Sequence, residues 1–585
     1  MNFGEFKFYK QKLIIRITNR ICENSEELIS SKLFLCILKN CVGDLKKRDS
    51  ELLTIFGSGK VDEAKISRLI QTFLYLTKMK GSLVPKVVKG SEVFLRDRLL
   101  FNDFVEHLYN YWRSFDRFIV CSSESVQIEK KPYRVFNETI EQLTHLVRAT
   151  YRNIAENITG AHPNIYRQVR AGAEVAAIAA AADIDFPSPA YDKLKVIPLI
   201  RQVLLYPPLI LNPPMNKRTG AFERVVQNPL HKLNIKKSEW VGYPAKVGEL
   251  FILIYFHNTF AELGYSLANL FQLADDADLK RRPDAVYCFG VPKSVVKGLG
   301  TYQTVFYDDE KNKTFFAAVP DTDEFGYFGY LKKMALTLHN IVMMKKKHLP
   351  FHGALVDITL KSNKKATILL IGDTGAGKSE TLEAFRELGM EAIKDMHIVA
   401  DDMGSIRLSK TKDVVGIGTE IGAFLRLDDL KPGYAFGQID RAIIMSANKV
   451  NARIIMPITS YDRVIKEHKI DFVLYANNYE QVDSDHPLIE RIENPQKALN
   501  VFKEGTVMSK GTTTSTGLVH SYFANIFGPP QYRELHDKVA DKFFRLFFER
   551  KIFVGQMRTR LGIAGYEQTG PEEAAKALLE IINSR

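Results

Sequence analysis

The residues best suited to chemistry lie in one stretch, Gly372-Asp373-Thr374-Gly375-Ala376-Gly377-Lys378-Ser379, which follows the apolar run Ala366–Ile371. A Gly-x-x-x-x-Gly-Lys-Ser string between a strand and a helix is a phosphate-binding loop. Its glycines let successive backbone N–H groups close around phosphate oxygens, and the following helix adds the positive end of its dipole. All eight residues are therefore expected to contact a nucleotide, with Lys378 neutralising the outer phosphates and Ser379 offering a hydroxyl to a divalent metal such as Mg2+. Phosphoryl transfer also needs a group that orients or deprotonates the acceptor. Downstream, Val399-Ala400-Asp401-Asp402 is a short apolar run ending in two carboxylates, which a strand would turn to opposite faces. One could hold a metal while its neighbour faces the acceptor. Upstream, His352 opens the run Phe351–Asp357, where an imidazole could bind metal or stabilise phosphate.

The elements that must position these residues form a strand-rich α/β pattern from about residue 325 onward. Strands are predicted at Ala354–Leu360, Ala366–Ile371, His397–Ala400, Ala442–Met445, Asn451–Ile458 and Asp471–Tyr475, and helices at Ser379–Leu388, Tyr532–Arg550 and Pro571–Ile582. Residues 1 to about 150 carry helical periodicity at Glu26–Leu38, Ala64–Met79 and Asp103–Trp112 continuing to Phe118, which predicts a helical accessory region. Residues 151–325 are expected to form an α+β region that serves either as a substrate-binding domain or as an interdomain connection. It opens on polar segments rich in Asn, Arg, His and Tyr (151–160 and 161–170), then an alanine-rich stretch predicted as helix, then a proline-punctuated loop from Tyr206 to Gly220. The expected architecture is thus a mixed α/β chain in three parts, 1–150, 151–325 and 326–585.

The string His352-Gly-Ala-Leu-Val-Asp357, then Gly372-Asp-Thr-Gly-Ala-Gly-Lys-Ser-Glu380, then Ala400-Asp-Asp402 resembles the core of the HPr kinase/phosphorylase family. That resemblance implies that Lys378 binds phosphate, Ser379 and Asp402 serve the metal, Asp401 is the acid/base group and His352 lies in the active site. The flanks resemble nucleotide-dependent phosphoenolpyruvate carboxykinase, a related enzyme with a mixed-sheet catalytic domain. Lys332-Lys333 precedes His352 by the kind of spacing at which a Lys and a His ligate manganese in carboxykinases, so Lys333, His352 and Asp402 are the implied Mn2+ ligands. A ligating lysine must be neutral, which requires burial and neighbouring cations. Asn451-Ala-Arg453-Ile-Ile-Met-Pro457-Ile458 is similar to the carboxykinase segment whose arginine bridges the transferred phosphoryl group, a task suited to a planar donor fork. Phe502–Thr506, Lys510-Gly-Thr512 and Tyr522–Gly528 resemble its C-terminal nucleotide-binding region. The chain departs from the carboxykinase pattern at Ser379-Glu380, where that family carries Thr-Thr. The arginine that grips a substrate carboxylate has its nearest counterpart in Thr219-Gly-Ala-Phe-Glu-Arg224, so Arg224 is the expected substrate residue beside Arg453.

These readings imply a metal-dependent enzyme using ATP or GTP, or pyrophosphate, on a small anionic metabolite. The leading form is a carboxykinase interconverting oxaloacetate and phosphoenolpyruvate. The alternatives are a kinase acting on a hydroxyl of a small molecule or protein acceptor, and a nucleotide-binding sensor or scaffold. A net charge of +13 across 585 residues suits anionic ligands, but the Lys and Arg residues are scattered, so nucleic acid is not an expected partner. The five cysteines form no paired framework, and the N-terminus lacks the apolar core of a signal peptide. The apolar runs Val175–Ala182 and Leu250–Phe256 are too short to span a bilayer. A cytoplasmic location without membrane association is expected.

Overall fold

The computed structural model describes residues 5–17, 21–123, 130–388, 392–427, 439–510 and 516–585. The chain is a mixed α/β protein that divides into two compact units. The first comprises Met1–Ala182 with Pro198–Tyr206, and the second Asp183–Ile197 with Pro207–Arg585. Among the described residues no helix is long and apolar enough to cross a membrane.

In the first unit, helices Lys32–Lys47, Glu63–Leu76, Arg98–Arg113 and Lys130–Thr159 supply most of a large apolar core that includes Ile37, Phe73, Phe101, Phe104, Leu143 and Ile154. Each helix has an apolar stripe at the helical period, and Ser31, Asp62 and Asp97 accept hydrogen bonds from free N–H groups at three of the N-termini. The helices are accompanied by a sheet in the order Phe6–Tyr9, Lys12–Ile17, Asp116–Ser123, Val175–Ala180, Leu199–Leu205. The helix expected to continue to Phe118 ends at Arg113, and Phe118 lies in a strand paired with Lys12–Ile17. Ser114 and the β-favouring run Phe118-Ile-Val120 explain the switch. The helix expected at the alanine-rich stretch is instead the strand Val175–Ala180. It pairs on one side with Phe118–Ser123 and on the other with Leu199–Leu205, and all six of its residues are buried. Pairing along both edges and burial of both faces outweigh the helix preference of alanine, whose small side chain suits a closely covered central strand. The expected boundary at 150 falls inside the helix Lys130–Thr159, and the first unit continues to Ala182.

Among the described residues the second unit holds three sheets and a hairpin. One sheet runs Trp240–Val247, Leu250–His257, Ala285–Val291, Thr314–Pro320, Val305–Asp309, Glu223–Val225. Another runs His468–Lys469, Val414–Gly418, Met403–Leu408, Leu349–Leu360, Lys365–Ile371, Phe472–Asn477, Phe553–Arg558, Ile489–Arg491, with Ile393–Ala400 also paired to Leu349–Leu360. The long strand Leu349–Leu360 begins against Met403–Leu408 and ends against Ile393–Ala400, so it places His352 directly opposite the turn that carries Asp401 and Asp402. A four-stranded sheet, Gly422–Arg426, Arg453–Pro457, Ile443–Met445, Leu209–Leu211, carries Arg453. The helix Phe328–Lys345 is buried along almost its whole length and brings Lys332 and Lys333 into the interior. All six strands and three helices predicted after residue 325 are present, with ends shifted by a few residues.

Candidate functional site

The loop 372–377 leaves the strand Lys365–Ile371 and feeds the helix Lys378–Glu387. Gly377 caps that helix at φ 99°, in the left-handed region, and a side chain there would strike Thr559. The loop is fixed from outside. Thr559 Oγ1 donates to the Ala376 carbonyl at 2.7 Å, and Asn478 Nδ2 donates to that of Gly375 at 2.9 Å. Asp373 accepts from Ser521 Oγ at 3.2 Å and, through its other oxygen, from the Thr374 N–H at 2.7 Å. Lys378 is buried and spans the loop, donating to the carbonyls of Gly372 and Asp373. Ser379, half-buried, occupies the second position of the helix. The loop thus has the rigid frame and positive charge that a phosphate chain requires.

Beside it the two aspartates diverge. Asp402 receives His352 Nε2 at 2.9 Å on one oxygen and Lys332 Nζ at 2.8 Å on the other. Burial works against its charge, but Lys332, His352 and Lys333 hold the carboxyl well below the usual range. Around Asp401 the balance differs. Burial pushes its carboxyl up, the neighbouring Asp402 adds to that, and the three cations Lys332, Lys378 and Arg386 offset it in part. Adjacent carboxylates therefore differ in proton affinity, the arrangement in which one serves as a fixed anion and the other as an acid/base group.

The two lysines also diverge. Lys332 lies 2.8 Å from Asp402 and 3.0 Å from Glu420, and these acids keep it charged despite its burial. Lys333 sits over the Phe527 ring at 4.6 Å. Burial first, and then the charge of Arg218, draw its ammonium down to about 7 in spite of Asp402. The neutral lysine that metal ligation requires is thus accessible near neutral pH. His352 faces an acceptor with each ring nitrogen, Nδ1 donating to the Ala524 carbonyl and Nε2 to Asp402 Oδ1 at 2.9 Å, so it would ligate a metal through Nε2 on giving up that proton. That carbonyl is delivered by three consecutive left-handed residues, Phe523, Ala524 and Asn525, with φ of 47°, 57° and 59°. A non-glycine residue in this region costs on the order of 1 kcal/mol, and such strain clusters at functional sites. Among the described residues no three His, Cys, Asp or Glu side chains gather as a metal site, so a metal here depends on the lysine nitrogen. Lys333, His352, Asp402 and Ser379 fit that role by donor chemistry.

Arg453 opens its strand with the guanidinium 5.5 Å from the Phe424 ring centroid and in hydrogen bond to Tyr327. Among the described residues its Nε is buried without a hydrogen-bond partner. Arg224, the expected substrate residue, faces Asp308 at 3.5 Å and Glu310 at 3.1 Å and stacks on Tyr532, so its charge is already paired. Arg218, six residues earlier, keeps different company. It lies over Phe222 and Phe527, is mostly buried, and is the cation that depresses Lys333. Phe527 is the common floor of Lys333, Arg218 and His352.

Sequence reasoning missed Arg218, Glu420 and Phe527. Their signals were the Lys217-Arg218-Thr219-Gly220 run inside the proline-punctuated loop, an acid set between glycines in Gly418-Thr-Glu420-Ile-Gly422 and, for Phe527, the aromatic Tyr522–Gly528 stretch. Thr506–Lys510 and Thr516–His520 form a hairpin whose Tyr475 and Asn478 contacts tie it to the loop sheet. Gly511 and Thr512 lie outside the described residues. A scan against protein-family models finds no match for this chain, and a search of curated proteins finds none either.

Proposed function

We propose that this protein is a metal-dependent phosphoryl-transfer enzyme with a carboxykinase-like catalytic unit, interconverting oxaloacetate and phosphoenolpyruvate with a nucleotide as phosphate donor or acceptor. The observation that carries this reading is the gathering of Lys333, His352 and Asp402 beside the lysine of a phosphate-binding loop. In that reading the loop residues 372–379 hold the nucleotide phosphates, and Lys378 balances their charge. Lys333, His352, Asp402 and Ser379 hold Mn2+ or Mg2+, which when bound polarises phosphoryl oxygens and neutralises their charge. Arg453 spans the transferred group with its fork, and the buried guanidinium of Arg218 grips the carboxylate of a small anionic substrate. Lys332 remains charged and fixes the orientation of Asp402. A cytoplasmic setting, where such metabolites and nucleotides are plentiful, fits this function.

A second reading is favoured by one observation. Asp401 has a raised carboxyl near Lys378, as expected of a base that takes a proton from an acceptor hydroxyl in a kinase. The two are separated by a coupled assay with manganese, a nucleoside diphosphate, phosphoenolpyruvate and bicarbonate. Oxaloacetate formation is the expected result. No oxaloacetate, with phosphorylation of a hydroxyl acceptor by a nucleoside triphosphate, would replace the carboxykinase reading with the kinase.

A further inference from the structure

The polar segment 151–170 plays no part in the site described above. It lies in the first unit, where Arg148 and Arg152 stand one turn apart on the helix Lys130–Thr159 and both reach over the exposed loop that follows it. Arg148 Nη1 donates to Gln168 Oε1 at 2.7 Å, and Arg152 Nη2 donates to the same oxygen at 2.8 Å. Two guanidinium charges therefore converge on one neutral amide oxygen.

Three carboxylates of this unit are committed elsewhere. Glu174 is taken by Arg117 at 2.8 Å. Glu106 accepts from Tyr151 and from Asn110. Glu156 accepts from His162 at 2.6 Å and from Tyr166, and so ties down the loop. Among the described residues neither Arg148 nor Arg152 has a carboxylate within salt-bridge distance, and the same holds for Arg113, Arg167 and Arg170. Arg113 donates from Nε to the Arg170 carbonyl at 3.1 Å. The Tyr166 ring lies against the Arg152 guanidinium at 4.6 Å and holds its plane.

We propose that Arg148 and Arg152 form a binding site for a small phosphate-bearing anion, which displaces Gln168 from between them. Arginine forks match phosphate oxygens in pairs, and an anion removes the repulsion that a neutral amide oxygen leaves in place. Tyr166 provides a flat surface beside the site, so the phosphate can arrive on a nucleotide as well as free. The proposal stands apart from the reading of the catalytic site.

The test is calorimetric titration of the full chain carrying Lys378→Ala, which removes the principal phosphate contact of the loop, with inorganic pyrophosphate and separately with AMP. One saturable site is expected to persist, weakened by high salt. Arg148→Gln with Arg152→Gln should weaken it on the order of 100-fold, as expected for two lost charge-assisted hydrogen bonds. Gln168→Ala should leave binding intact or tighten it, because it removes the competing oxygen and no charge. Arg152→Lys alone keeps the helix and the charge and should cost about tenfold through loss of the fork. Tighter binding of AMP than of pyrophosphate assigns a nucleotide, and the reverse assigns a free phosphate compound. Absence of a site in the Lys378→Ala chain, or equal affinity in the double arginine variant, would overturn the proposal. So would a single-stranded RNA oligomer that binds more tightly than either probe and loses affinity in the same variant.

Discussion

Glu420 offers the sharpest test of how the site distributes charge. It is buried, 3.0 Å from Lys332, which is itself paired with Asp402 at 2.8 Å. One cation thus faces two acids. Burial pushes the Glu420 carboxyl up from 4.5 to about 7, with Lys332 opposing the shift and Asp402 adding to it. A group whose proton affinity rises on folding contributes stability that is complete below its unfolded value and is lost as pH climbs through the folded one. The interval of about 2.5 pH units corresponds to about 3 kcal/mol, absent above pH 7 and fully present below pH 4.5. Glu420→Gln copies the protonated shape and cannot ionise. The second unit has about 390 residues, and at ~2.1 cal/mol/K per residue each kcal/mol moves its transition by about 1.2 °C.

The variant should therefore melt with the parent at pH 4.5 and about 4 °C above it at pH 8, followed by scanning fluorimetry in matched buffers. Lys332→Met, which leaves both acids without a cation, should cost about 3–5 kcal/mol, or about 4–6 °C. If Glu420→Gln melts several degrees below the parent at pH 8, the Lys332–Glu420 attraction outweighs burial and the account of the charge balance fails.

The catalytic reading carries its own expectations. Lys378→Ala should abolish transfer, and a variant retaining most of the parent rate would remove the loop from the chemistry. Asp402→Asn should raise the manganese concentration needed for half-maximal activity; an unchanged manganese titration would show that Asp402 holds no metal. Arg218→Ala should raise KM for the carboxylate substrate by about 10- to 100-fold, the loss expected for one buried charged hydrogen-bond donor. Arg224→Ala should leave that KM unchanged, since its charge is spent on Asp308 and Glu310, and the reverse pattern would restore the assignment of Arg224.

The legible part of this molecule is the part governed by local rules. The loop 372–377 and its flanking strand and helix follow from glycine spacing and from an apolar run. His352 and the aspartates are legible because they lie in or directly after apolar runs that read as strands. The less legible part depends on contacts distant in sequence. Val175–Ala180 has the composition of a helix and becomes a strand only because partners at Phe118–Ser123 and Leu199–Leu205 enclose it. Arg218 and Arg224 are equally basic and six residues apart. What separates them is the company of Asp308 and Glu310 for one and of Phe527 and Lys333 for the other, and no local pattern encodes that company.

The same principle divides Lys332 from Lys333. Consecutive residues on a helix point about 100° apart. One turns toward Asp402 and Glu420 and remains an ammonium, while the other turns toward Phe527 and Arg218 and loses proton affinity. The identical side chain thus provides a structural cation in one position and a candidate metal ligand in the next. Asp401 and Asp402 repeat the division with the opposite sign of charge. Each doublet supplies one member that holds its charge and one whose proton affinity is shifted toward neutrality. Exchange of the two lysine environments would leave composition, net charge and motif intact and would remove the proposed metal site. What marks this pocket as a candidate site is therefore the asymmetry between neighbouring residues, carried by the buried helix Phe328–Lys345 and the turn at Asp401–Asp402, rather than the presence of lysines and aspartates as such.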